Sequence, residues 1–125
     1  MTVRAVHPVG GQKPMAPYSP AIDTGALVFV SGQLGVTSSG ELADGIQAQA
    51  EQALKNLAAV LDAAGLSMSS VAKTTCFLAD INDFNAFNEV YARYFDEPKP
   101  ARSTYAVAAL PKGALVEIEA IAARG

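Results

Sequence analysis

The chain reads as an α+β fold: one mostly antiparallel sheet carrying two helices on a single face. Three observations predict it. Strand-like and helix-like stretches alternate in the order β, β, α, β, α, β, β. Both helical stretches are apolar along one stripe only. Several strands are apolar on both sides, yet no third helix is available for the second face. A partner copy covering that face is the economical solution. At 125 residues the chain suffices for one domain, residues 1–125, with its own core.

Thr2 to Val6 alternates and forms a short edge strand. Residues 8–20 hold Pro8, Gly10, Gly11, Pro14, Pro17 and Pro20 and form a loop. Pro17 and Pro20 stiffen its end, so Tyr18 is presented in a fixed frame. Residue chemistry alone packs its ring on the core edge with the hydroxyl wet. Gly25 to Gly32 is a central strand, ending at Ser31-Gly32-Gln33, where the chain leaves the sheet. Asp44 is positioned as a helix N-cap with Gln47 three residues on. Ile46, Ala50, Ala53, Leu54, Leu57, Leu61 and Ala64 form the apolar stripe. Gln49, Glu51, Gln52, Lys55 and Asn56 lie largely outside it, and Gly65 supplies a left-handed stop.

Val71 to Ala79 is a β-branched strand with Cys76 inside it as a small buried hydrophobe. Asn82 or Asp83 caps a second helix striped by Phe84, Phe87, Val90, Tyr91 and Tyr94, with Pro98 just past its end. Residues 100–107 and 115–121 then read as two strands joined by the turn Leu110 to Ala114.

Charged residues make up only 17% of the chain, against roughly 25% in an average soluble protein. The net charge is −3 and no Lys/Arg run occurs, so no surface is built to neutralise a phosphate backbone and nucleic acid is not expected as a partner. One cysteine and one histidine, His7, cannot build a disulfide framework or a metal cluster. The first residues lack a signal-peptide core. The longest apolar run, Ala26 to Val30, cannot span a bilayer, so no membrane association and a cytoplasmic setting are expected.

The last two strands concentrate the chemistry. Arg102 stands at the entrance of a small, uncharged strand, where a planar guanidinium can grip a carboxylate through two parallel hydrogen bonds. A strand-end salt bridge is its structural alternative. Glu117 and Glu119 alternate with aliphatics in the next strand, and period-two spacing puts both on one face, so spacing does not choose between them.

Ala16-Pro17-Tyr18-Ser19, Ser31-Gly32-Gln33, Asn82-Asp83-Phe84 with Asn88, Pro100-Ala101-Arg102-Ser103, and Leu110-Pro111-Lys112-Gly113 ahead of Val116 to Ala122 occur in this order. Together they resemble the RidA/YjgF family of reactive-intermediate (enamine/imine) deaminases, from the Pro-rich loop to the C-terminus. The resemblance implies a chorismate-mutase-like fold and a homotrimer whose sheets form a central barrel, with active sites between subunits. It implies hydrolysis of 2-imino acids, or 2-enamine tautomers such as 2-aminoacrylate, to 2-keto acids and ammonia, without metal or organic cofactor. Non-catalytic ligand-binding or chaperone-like members give the alternative function. By motif, Arg102 grips the substrate carboxylate and Glu117 handles the attacking water. Tyr18, Ser31 and Thr104 shape the pocket and Asn88 supports it. The chain departs from the pattern at Ala16, Pro20, Thr104 and Tyr105, which bears on side-chain preference.

Overall fold

A computed structural model describes residues 2–11, 13–14 and 16–125. Gln12 and Met15, within the expected Pro/Gly-rich loop, lie outside the described residues. The elements are β1 (Arg4–Val6), β2 (Ala21–Asp23), β3 (Leu27–Leu34), α1 (Ile46–Ala63), β4 (Val71–Leu78), α2 (Phe84–Tyr91), β5 (Ala101–Ala106) and β6 (Val116–Ala123), with single 3₁₀ turns between some of them. The strands form one sheet in the order β1-β2-β3-β6-β4-β5, antiparallel at every step except β4 with β5. The expected α+β class is observed. The strand β2, too short to carry a periodic signal, was not anticipated.

The expected hairpin between the last two strands does not form. β6 inserts between β3 and β4, while β5 pairs only with β4, in parallel. Strand composition explains the choice. β6 carries a continuous apolar face of Val116, Ile118, Ala120 and Ala122, all buried, and gains most from a central position. β5, with Arg102, Ser103 and Thr104, tolerates the edge. Residues 107–115 cross the end of β4, where Val107 N–H donates to Leu78 and Ala79 N–H to Leu115.

Three local expectations also change. Asp44 does not cap α1; Gly45 takes the N-cap position at φ 88°, a left-handed conformation that favours glycine. Gln47 instead reaches α2, donating to the Ala86 carbonyl at 3.1 Å and to Glu89 at 3.0 Å. The chain does not leave the sheet at Ser31; β3 continues to Leu34 through an irregularity between Val30 and Gln33. Gln49 is buried rather than outside, because its side-chain oxygen accepts the Leu115 N–H at 2.8 Å. Asn56 donates to the carbonyls of Leu34 and Val36. These bonds stitch α1 to the outgoing end of β3 and the start of β6. Gly35 lets the helix come this close, since a Cβ there would collide with the Gln49 backbone.

The core lies between the helices and one sheet face. Leu54, Leu57, Val60 and Leu61 of α1 and Phe87 and Val90 of α2 meet Val28, Cys76, Leu78, Val116 and Ile118. Gly65, at φ 77°, ends α1 as expected, with Leu66 N–H returning to the Leu61 carbonyl. Leu27, Phe29 and Tyr105 stay exposed, and the first two lie on the sheet face away from the helices.

At the far end of the sheet, buried Asp23 accepts from Arg4 at 3.0 Å and from Arg124 at 2.5 Å. The Gly25 N–H is a further donor at 2.8 Å. These donors, Arg124 first, lower its pKa from 3.8 to about 2. A carboxyl held below its unfolded value stabilises the fold above that unfolded value, and the contribution disappears as pH falls through the folded one. Asp23→Asn is therefore expected to lower the melting temperature at pH 7 and to flatten its fall between about pH 4 and pH 2. Circular-dichroism melts across that range test this; an unchanged acid slope would refute the assignment.

Candidate functional site

The alternation of β4 decides where each chemical group points. Thr74, Cys76 and Leu78 face the helices and are buried, while Thr75 and Phe77 face the other way. Arg102 pairs with Thr74 and Thr104 with Cys76, so both belong to the helix side. Glu117 pairs with Phe77 and Glu119 with Thr75, which sets both on the uncovered face. Arg102 and Glu117 of one chain are thus on opposite faces of the sheet. They form two separate clusters, not the single arginine-and-glutamate hairpin expected from sequence.

The first cluster lies between α2 and β5. The Arg102 guanidinium carbon sits 4.7 Å from the Tyr91 ring centre, 5.5 Å from Phe84 and 5.7 Å from Phe87. Tyr91 is fixed by a 2.7 Å hydrogen bond with Thr74 and by the Phe95 ring at 4.6 Å. Cation–π contacts of this kind contribute about 0.5–2 kcal/mol and leave the N–H edge free. Among the described residues no carboxylate pairs with Arg102. Asn88, on the α2 face of Phe84 and Tyr91, holds a buried side-chain oxygen without a hydrogen-bond partner, and the Thr104 side chain hydrogen-bonds the Cys76 thiol. Behind them the Cys76 thiol is pushed by burial up to about 11, with nearby Arg102 only partly opposing this, so the thiol stays protonated and unreactive.

The second cluster lies on the opposite face. A recess of about 840 Å³ runs from there to α1, lined by Tyr18, Ser31, Gly32, Glu117 and Glu119 and by Gln52 and Asn56 of the helix, among others, and Arg102 is not among its walls. Tyr18 is 54% exposed, so its ring does not pack on the core edge. Ser31 donates to the Ser19 carbonyl at 2.6 Å, pinning the Pro17–Pro20 loop to β3. The Glu117 carboxylate lies against Gly32, where any Cβ would collide with it. Glu117 is half-buried and Glu119 exposed, although both line the recess. Burial, then the charge of Glu119, raises the Glu117 pKa above the usual carboxylate range.

Sequence reasoning missed two contributors. Phe84, Phe87 and Tyr91 were recognised as a core stripe, but their spacing also marks a ring-lined wall able to hold a cation. Gly32 reads as part of a strand's end and acts as clearance for Glu117. Because the pKa shift has two causes, Glu119→Gln should lower the Glu117 pKa while leaving it above that of a free carboxylate. Carboxyl-carbon NMR titration checks this; an unmoved midpoint would show that the two carboxylates do not interact.

A family model described as Endoribonuclease L-PSP matches residues 10–124. The chain is 50% identical over 113 residues to the human 2-iminobutanoate/2-iminopropanoate deaminase, covering 89% of this chain and 82% of that protein. It is 52% identical over 110 residues to the chloroplastic Reactive Intermediate Deaminase A of Arabidopsis thaliana, covering 86% of this chain and 59% of that protein. Escherichia coli TdcF, solved with bound serine, superposes with a TM-score of 0.93 at 41% identity, covering 98% of this chain and 99% of that one. The family model and these relatives agree: the chain belongs to the RidA/YjgF family.

Proposed function

We propose that the protein is a hydrolytic deaminase of 2-imino acids and their 2-enamine tautomers, forming 2-keto acids and ammonia. One observation carries this: a ring-stacked guanidinium, Arg102, stands half-buried with no carboxylate paired to it among the described residues. A small carboxylate-bearing ligand is the chemistry it fits. The names of relatives near 50% identity supply the reaction class.

In this proposal the substrate carboxylate docks on Arg102, which orients the imine carbon. Glu117, shifted toward neutral pH by burial and Glu119, accepts a proton from the attacking water and returns it to the departing nitrogen. Water adds to the iminium carbon, the carbinolamine loses ammonia, and the ketone remains. An iminium carbon is already electrophilic, so orientation and one proton-handling carboxylate meet the chemical need. Tyr18 and Ser31 border the water side, and Thr104 and Asn88 the substrate side.

Because Arg102 and Glu117 occupy opposite faces of one chain, the proposed site joins the Arg102 cluster of one copy to the Glu117 cluster of another. A homotrimer packed through the uncovered face, with Leu27 and Phe29 buried at the contact, supplies this. Residues 1–125 act as one functional domain without a metal or organic cofactor. The protein works in the cytoplasm, although the Arabidopsis relative is named as chloroplastic.

An assay that generates 2-iminopropanoate in situ and follows ammonia or pyruvate release tests the activity. Arg102→Ala is expected to lower kcat/KM at least about 100-fold, and Arg102→Lys less, since it keeps the charge and loses the fork. Equal rates for wild type and Arg102→Ala would sink the mechanism. Keto-acid binding without turnover across several imino acids would instead indicate a binding protein of the same fold.

A further inference from the structure

Among the described residues, Asn88 Oδ1 is a buried polar atom with no hydrogen-bond partner. It belongs to the Arg102 cluster. Asn88 follows Phe84 by one turn of α2 and precedes Tyr91 by another, and both of those rings lie over the guanidinium. Thr104 follows Arg102 by two residues on the same face of β5. Guanidinium and amide therefore share one side of the sheet, with the Thr104 hydroxyl set against the Cys76 thiol.

The two oxygens differ in what they can recognise. A hydroxyl both donates and accepts, so Thr104 adapts to either kind of partner. The amide oxygen of Asn88 only accepts. A 2-imino acid and the 2-keto acid formed from it share the carboxylate and the carbon skeleton. They differ at one atom: the nitrogen offers N–H donors, whereas the keto oxygen has none.

We infer that Asn88 Oδ1 distinguishes imine from ketone, accepting an N–H of the bound imino acid or enamine and facing the product's oxygen lone pair to lone pair. This rests on the deaminase function proposed above. Arg102 binds the carboxylate common to both species and does not discriminate. Asn88 ties recognition to the atom that the reaction replaces, so hydrolysis itself weakens the grip on the product. A buried acceptor left unpaired is costly, and substrate relieves that cost while product does not. Asn88 is thus a specificity-determining residue for the reaction's direction of binding, beyond a supporting place in the pocket wall.

The test compares wild type, Asn88→Leu and Asn88→Ala as full-length chains. One readout is kcat/KM for 2-iminopropanoate, made in situ by an amino-acid oxidase from alanine and measured against semicarbazide trapping. The other is the Kd for pyruvate by calorimetry. Both variants should fold, since the amide oxygen loses no internal bond; thermal melts verify this, and Asn88→Ala serves if leucine does not fit. The expected result is a fall in kcat/KM of roughly 10- to 100-fold with pyruvate binding unchanged or tighter. Pyruvate binding that weakens by the same factor as turnover, or more, overturns the inference, because Asn88 would then donate to the ketone or hold the pocket's shape. A wild type that does not accelerate imine hydrolysis overturns the deaminase proposal, and the assignment to Asn88 falls with it.

Discussion

The insertion of β6 between β3 and β4 is the constraint on which the rest depends. A strand paired on both sides can place alternate residues only on two opposite faces. Val116, Ile118, Ala120 and Ala122 face the helices and join the core, which leaves Glu117 and Glu119 on the uncovered face. The β4 register passes the same division on to β5, and Arg102 takes the helix side. α1 must then lie across β3 and β6, and Gly35, Gln49 and Asn56 permit and fasten that contact. The separation of the arginine from the glutamate follows from strand order, before any question of chemistry.

The arginines show how one side chain serves different ends. Arg4 and Arg124 are matched to the Asp23 carboxylate, and their charges are used up in holding the sheet's end. Arg102 is held as firmly in position, but by aromatic faces that leave its donors unspent. Stacking fixes orientation without neutralising charge, which is what a preformed anion site requires. The same contrast separates the carboxylates: Asp23 is driven acidic by its partners, while Glu117 is driven the other way by burial and a like charge.

Much of this was legible in the chain. The apolar stripe of α1, its stop at Gly65, and the burial of Cys76 in β4 all follow from local periodicity and turn chemistry. So did the candidate residues, whose order along the chain carries the family resemblance. Pairing was not legible. Residues 100–121 look like a hairpin because sequence neighbours usually pair, and only competition for the central position shows that β6 belongs between β3 and β4. Gln49 looks solvent-facing until the Leu115 N–H needs an acceptor. The opposite facing of Arg102 and Glu117 depends on register across three strands, which no single strand's pattern contains.

The shared carboxylate of Asp23 also has a dynamic consequence. It receives Arg4 from the first strand and Arg124 from just beyond the last, and Arg124 donates as well to the Ala64 carbonyl at the end of α1. Chain ends ordinarily fray separately and at little cost. Here one buried anion holds both, so opening either end leaves the other with a weakened partner. The two ends should exchange their amide hydrogens as one cooperative unit rather than as independent tails.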